Sequence, residues 1–472
     1  MARSCTFGVI IGNRGFFPDS LARDAWQEVQ EVIRQAGHEV VIPTPEQTKL
    51  GGVETPQDAR TAARLFQENR SRIDGIIIFL PNFGDEKAAA DTVRWAALDV
   101  PVLVQAYPDE PGKLAMGQRR DSFCGKMSVC NNLRQYGIEF SLTTLHTVSP
   151  RDPEFKKDLE RFAAVCRVVR GLRGAKFGAI GARPMAFNTV RFSEKILEAN
   201  GISVETVDLS EIIEAARKAE SSERTAEKIK EIKAYGDTSA LPEDAFRRIA
   251  ALGVAIEDFM QEHELVGAAL QCWTALEEIY GVVPCTCMSM LSEKLIPQAC
   301  EVDLMGAVAM YSLQLASGTP SALVDWNNNW GDDPDACLIF HCSNLAKSFL
   351  RSVKLDFHEI IADSVGKENT WGTCTGVLLP GPLTFARLST NDILGEICGY
   401  VGEGRVEDED PKSFGGIGVL RVPKLQDLLH FICDQGFEHH VAVNRSQVAQ
   451  AVAEAWERYL GWRIYLHGEE SD

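Results

Sequence analysis

The chain is poor in basic residues: 48 Lys and Arg face 67 Asp and Glu, a net charge of −19 over 472 residues. No basic stripe is available to neutralise phosphates, which argues against a nucleic-acid partner, and protonating all nine histidines would not reverse the balance. Nor does any stretch reach the roughly 18 consecutive apolar residues of a membrane-spanning helix, so no membrane partner is expected. Catalytic signatures are equally scarce. There is no GxSxG elbow and no cysteine in a His-paired motif. No Lys-Ser/Thr follows the glycine of IGNRG (11–15) to make a phosphate loop. GAIGARP (178–184) lacks the full GxGxxG pattern and places a proline where a helix should begin, so no nucleotide cofactor is expected. No CxxC pair occurs among the thirteen cysteines; Cys285 and Cys287 have no matching second pair to build a structural zinc site. Their odd number in a long, core-rich chain predicts free thiols in a reducing cytoplasm. The apolar stretch of MARSCTFGVIIGNRG is broken by Asn13 and Arg14 and lacks a small-residue cleavage site, so it does not read as a signal peptide.

What is present is a strong alternation of elements. Apolar runs at 6–12, 38–43, 74–81 and 100–106 are separated by amphipathic helices at about 19–36, 56–70 and 86–97. Strands apolar on both faces and spaced by helices predict a parallel sheet covered on both sides. After the charged linker 149–161 a second cycle begins, with a strand and its loop at 175–184 and strands at 202–209 and 265–273. A Pro/Cys loop, a helix starting near Cys300 and the strand SALVDW (321–326) follow. From about 330 the runs become Gly-punctuated with few helical signals, as in an antiparallel sheet or small barrel. The segment 446–462 closes the chain as an amphipathic helix. The expected fold class is α/β: two doubly wound Rossmann-like domains (1–165 and 166–320), then a β-rich, barrel-like domain with a terminal helix (321–472).

Residues at the edges of these elements carry the chemistry. Glu301, Asp325, His341 and the pair His439-His440 offer oxygen and imidazole ligands, which suit Mn²⁺ or Mg²⁺ and would leave positions open for substrate. Each also has an ordinary reading. Glu301 and Asp303 suit the first turn of a helix, Asp325 can turn an Asn-rich loop, His341 can be a core histidine, and His439 and His440 can be loop residues.

The stretches LQCWTALEEIYGVVPCTCMSML (270–291), CEVDLMGAVAMYSLQLASGTPSALVDWNNNW (300–330), TGVLLPGPLTFARLS (375–389) and GFEHHVAVNRSQVAQAVAEAWERYLGW (436–462) resemble the L-fucose isomerase and L-arabinose isomerase superfamily. The resemblance implies a metal-dependent aldose–ketose isomerase acting through an enediol, with Mn²⁺ (or Mg²⁺ or Co²⁺) held by Glu301, Asp325 and His440. Glu301 and Asp325 would also do the proton transfer. His439 is the neighbouring alternative to His440. His341 corresponds to a ligand in the arabinose branch only. Arg14, Gln271 and Trp273 look like substrate contacts, with Arg14 supplied to a neighbouring subunit of a homo-oligomer, a trimer or hexamer with shared sites. The chain is shorter than fucose isomerases, which leaves the sugar open: a deoxy sugar, a pentose, or an aldose anionic at C6. Arg14, Arg119, Arg120 and Arg183 lie in strand-end loops and could neutralise such a group, although for most of them a solvated surface role is the ordinary reading. A non-catalytic sugar-binding or regulatory protein, and a metal-dependent epimerase or lyase on a related polyol, are the competing readings.

Overall fold

The computed structural model describes residues 3–468; the outermost positions of the expected first and third domains lie outside them. The chain forms two compact units, one running to Arg170 and taking back Glu454–Gly461, the other comprising Gly171–Ala453 and the chain from Trp462.

In the first unit, β1 (Thr6–Ile11), β2 (Glu39–Val41), β3 (Gly75–Leu80), β4 (Val102–Ala106) and β5 (Ser141–Leu142) form one parallel sheet in the order β2-β1-β3-β4-β5. The run GIIIFL shows why the strands are apolar throughout. Ile76, Ile78 and Leu80 pack with Ala59, Ala62, Phe66 and Ala89 on one face. Ile77 and Phe79 pack with Ala25, Val29, Ile33 and Phe162 on the other. Side chains alternate across a strand, so a sheet clad on both faces needs apolar residues at every position. The returning segment is fastened to this unit by the Tyr459 hydroxyl, 2.7 Å from Ser141 Oγ, and by Glu454, which pairs with Arg161.

The second unit contains a parallel sheet of β6 (Lys176–Ile180), β7 (Ser203–Val207), β8 (Gly267–Leu270) and β9 (Gln298–Cys300), in the order β7-β6-β8-β9. Beyond it come β10 (Ser321–Asn329), β11 (Ala336–His341), β12 (Lys354–Phe357), β13 (Trp371–Val377), β14 (Gly381–Asn391), β15 (Glu396–Val406), β16 (Gly416–Arg421), β17 (His440–Asn444) and β18 (Arg463–Leu466). These run β12-β13-β16-β11-β10-β17-β14-β15-β18, and a further β15–β16 pairing closes the ring β16-β11-β10-β17-β14-β15. The β-rich part is therefore barrel-like, and the α/β class with two parallel sheets holds.

Local expectations differ in four places. Residues 285–293, read as part of a loop, form the helix Cys285–Glu293, buried at all but its last residue; a helix apolar on every side shows no amphipathic period. The helix expected near Cys300 begins only at Leu304, because β9 and a tight turn precede it. A helix, Leu425–Gln435, interrupts the β-rich part, with Leu425, Leu428 and Ile432 buried at helical spacing and Cys433 exposed. The closing helix is regular only over Ala449–Glu454 and continues as a π-helical turn over Ala455–Tyr459, where the chain changes units. Among the described residues no helix is long and apolar enough to cross a membrane.

Candidate metal centre

Glu301 owes its position to backbone shape. Glu301 and Val302 both adopt left-handed φ, +55° and +56°, an unfavourable region for side-chain-bearing residues and more so for a β-branched one. Such strain costs about 1–3 kcal/mol per residue and persists only where surroundings enforce it. Here Asp303 N donates to Cys300 O at 2.9 Å, and the Asp303 side chain caps the following helix by accepting from Gly306 N at 2.9 Å. The turn so made carries the Glu301 side chain into the interior, where the residue is 6% exposed. Glu301 is thus not a first-turn helix charge; Asp303 takes the cap.

The other groups arrive on barrel strands. Asp325 lies in β10, directly opposite His440, the first residue of β17, and His341 ends β11. His440 Nε2 lies 3.4 Å from Asp325 Oδ1 and 3.8 Å from Glu301 Oε2, and His341 Nε2 is also 3.8 Å from Glu301 Oε2. His439 Nε2 is 3.7 Å from Asp325 Oδ1, but its side chain is 45% exposed. The ligand atoms of Glu301, His341 and His440 lie within 4.8 Å of one another, as do those of Asp325, His439 and His440. His440 belongs to both sets.

Two buried oxygens point to a cation. Glu301 Oε2 and Asp325 Oδ1 have no hydrogen-bond partner, and a buried unpaired carboxylate is costly unless something satisfies it. An octahedral cation with bonds of about 2.1 Å spaces neighbouring ligands by about 3 Å, close to the separations present. The oxygen and imidazole donors match Mn²⁺ and tolerate Mg²⁺ or Co²⁺. Burial raises the Glu301 carboxyl, with His440 opposing it, and pushes the Asp325 carboxyl up to about 6. Burial also lowers His341 and takes His439 down to about 4. For His440 burial acts downward too, but the hydrogen bond to Asp303 and the surrounding carboxylates outweigh it and hold the ring above its usual value.

Behind His440 stands a chain of charges, of which Arg387 and Glu438 were not assigned from the sequence. His440 Nδ1 lies 2.9 Å from Asp303 Oδ2. Arg387 Nη2 donates to Asp303 Oδ1 at 3.1 Å, and Arg387 Nε donates to Glu438 Oε2 at 3.0 Å. Arg387 and Asp303 are fully buried. A lone arginine inside the apolar run PLTFARLS was the available signal. Phe187, on the loop after β6, was also missed; its ring centroid lies 5.4 Å from that of His440, 5.5 Å from His439 and 6.1 Å from Trp273.

Of the expected substrate contacts, Trp273 Nε1 donates to Glu301 Oε1 at 3.0 Å, and Gln271 Oε1 accepts from Ala182 N at 2.9 Å. Arg14 lies in the other compact unit, paired with Glu86 and stacked 4.2 Å over the Phe83 ring. Arg119 pairs with Asp121, Arg120 donates to Pro81 O, and Arg183 donates to Pro184 O.

In the second unit, a parallel sheet and a closed ring of strands bring two carboxylates, Glu301 and Asp325, together with two imidazoles, His341 and His440, and define an α/β protein with a cluster of oxygen and imidazole donors. The family described as fucose/sulfoquinovose isomerase, N-terminal domain, matches residues 8–173, and L-fucose isomerase, C-terminal domain, matches residues 339–467. The chain belongs to the fucose isomerase-like superfamily. It is 24% identical over 392 residues to a sulfoquinovose isomerase of Priestia aryabhattai, covering 81% of this chain and 83% of that protein. To one of Alkalicoccus urumqiensis it is 23% identical over 396 residues, covering 83% and 85%. Against one of Clostridium sp. (strain MSTE9) it is 25% identical over 240 residues, 50% of this chain and 52% of the relative's length.

Proposed function

We propose that this chain is a metal-dependent aldose–ketose isomerase working on an open-chain sugar. The observation that carries the reading is the pair of buried, unpartnered oxygens, Glu301 Oε2 and Asp325 Oδ1, both facing His440 Nε2. Glu301, Asp325 and His440, joined by His341, would hold Mn²⁺, or Mg²⁺ or Co²⁺ in its place. When bound, the cation supplies polarisation of the sugar's carbonyl and neighbouring hydroxyl oxygen. The names of the relatives support sulfoquinovose, a hexose with a sulfonate at C6, as the first sugar to assay.

The residues divide the work by position. One carboxylate of the Glu301/Asp325 pair takes the proton from C2 of the aldose; the C–H electrons form the C1–C2 double bond, and the C1 carbonyl π electrons move to O1, which takes up a proton to complete the enediol. Loss of the O2 hydroxyl proton then forms the C2 carbonyl as the double-bond electrons take a proton at C1, giving the ketose. Trp273 orients Glu301 through its indole N–H, and the Gln271 amide nitrogen is left to donate to a sugar hydroxyl. Arg14 is assigned to the sugar through a second copy of the chain in a homo-oligomer.

The test is ketose formation from a panel of aldoses including sulfoquinovose, using metal-stripped protein with and without added Mn²⁺. Ketose is expected only after add-back, and Glu301→Gln should lower turnover by about 10²–10⁴-fold with an unchanged circular dichroism spectrum. Absence of ketose from every sugar, with bound Mn²⁺ confirmed, overturns the reading.

A further inference from the structure

A group of buried thiols adjoins Glu301, and the proposed reaction uses none of them. Strands β8 and β9 lie side by side with Leu270 opposite Cys300, which brings Cys272, just past the end of β8, against Cys300. Their Sγ atoms and one Glu301 carboxylate oxygen lie within 4.8 Å of one another. All three residues are buried: Cys272 is 4% exposed, Cys300 0% and Glu301 6%. Cys285 and Cys342 are close enough for the charges of Glu301 and Cys272 to act on them. Glu277 acts on Cys272 and Cys285; it is fully buried and neither of its carboxylate oxygens has a hydrogen-bond partner.

We infer that Cys272, Cys300 and Glu301 form a second cation seat, selective for a soft divalent ion such as Zn²⁺ or Cd²⁺, that shares Glu301 with the hard-cation centre. Thiolates select soft or borderline ions, whereas Mn²⁺ and Mg²⁺ prefer oxygen. Zinc in a four-coordinate site would take two sulfurs and one carboxylate oxygen and leave one position for water. Binding releases the two thiol protons to solvent and changes no oxidation state. The two seats differ in ligand chemistry but draw on one glutamate, so filling the soft seat withdraws Glu301 from the hard one. A thiophilic ion therefore acts as an inhibitor at a defined place. This inhibition rests on the isomerase reading; occupation of the seat does not.

The experiment titrates Cd²⁺ into the full-length protein and follows thiolate-to-cadmium charge-transfer absorption, with the isomerase assay run on the same samples. A band saturating at one Cd²⁺ per chain is expected, with loss of turnover in parallel. Cys272→Ser and Cys300→Ser should each remove most of the band, while Cys398→Ser, on β15, leaves it unchanged. Should the serine variants fail to fold, X-ray absorption on the wild-type protein loaded with one Zn²⁺ counts sulfur neighbours directly, and two are expected. A wild-type protein without the band, a band that survives in the double serine variant, or zinc with only oxygen and nitrogen neighbours overturns the seat. A saturated band with undiminished turnover overturns the sharing of Glu301. Absorption and X-ray readouts need no turnover, so they decide the seat even if no sugar proves to be a substrate.

Discussion

His440 hangs from Asp303: its Nδ1 sits 2.9 Å from Asp303 Oδ2. Burial pulls the Asp303 carboxyl upward, but Arg387 and the hydrogen bond from His440 outweigh it and hold it well below the usual range. The carboxylate is therefore ionised and can only accept, so the proton is on Nδ1. Nε2 is left as the atom facing Glu301 and Asp325. A carboxylate behind a ligating imidazole in this way fixes the ring and raises its basicity.

Asp303→Asn tests that arrangement at two levels. Losing such a partner typically weakens metal binding by about 10–100-fold, to be read by isothermal titration with Mn²⁺. The change also strands the fully buried Arg387 with Glu438 alone. Removing one member of a buried charge cluster costs roughly 3–5 kcal/mol, to be read by urea denaturation of the metal-free protein. Unchanged stability would mean that Arg387 draws its support elsewhere.

The extent to which this centre was legible in the sequence differs by residue. The parallel sheets were readable because both faces of each strand are covered, which leaves an uninterrupted apolar run such as GIIIFL. Glu301 follows β9, His440 opens β17 and Asp325 stands inside β10, which runs three residues beyond the expected strand end; their motifs resemble those of a known family, so they were nameable as candidates. The turn that aims Glu301 was not legible, since left-handed φ at Glu and Val contradicts local preference and is enforced by tertiary contacts. Arg387 and Glu438 were invisible as a pair: 51 positions separate them, and the β14–β17 pairing brings Arg387, on β14, to Glu438, two residues ahead of β17. Phe187 sits in a loop, where no periodicity marks which side chain turns inward.

Glu277 gives the protein a pH dependence of its own. Burial pushes its carboxyl up to about 8, above the roughly 4.3 of an unfolded glutamate. The folded state thus binds the proton more tightly than the unfolded state. That contribution to stability is fully present below about pH 4.3 and is lost as pH rises through about 8. Glu277→Gln removes the ionisable group while keeping its shape. The variant should gain on the wild type as pH rises from 5 to 8, by on the order of 2–3 kcal/mol at pH 7. Urea midpoints of metal-free protein measured across that range check the sign, and parallel curves would contradict it.

Phe187 stands edge-on to Trp273 and His439 and tilted against His440, making an aromatic cluster beside the site. Such a cluster fits the apolar C–H face of a sugar and shields the site from water. Phe187→Ala should raise KM for the substrate sugar by about tenfold, the equivalent of 1.4 kcal/mol, while the Mn²⁺ affinity stays as in the wild type. A loss confined to kcat would place Phe187 in the chemistry instead.

The two remaining histidines differ in what they can offer a cation. His341 is buried at the end of β11, its Nε2 is 3.8 Å from Glu301 Oε2, and burial keeps it neutral, with a lone pair to give. His439 is 45% exposed, and its Nε2 lies 3.7 Å from Asp325 Oδ1. A half-exposed side chain must be ordered on binding, which costs entropy that a packed ring has already lost. Removing a ligand from inside also leaves Glu301 Oε2 facing one imidazole rather than two, whereas Asp325 keeps His440 when His439 is absent. His341→Ala should therefore weaken Mn²⁺ binding by at least tenfold, about 1.4 kcal/mol, and His439→Ala by no more than about twofold, about 0.4 kcal/mol. Thermal shifts in saturating Mn²⁺ provide a second reading, because a cation at 100 times its Kd adds about 2.7 kcal/mol of stability. That gain should shrink in His341→Ala and persist in His439→Ala; the opposite ranking would move the second imidazole position to the Asp325 side of the centre.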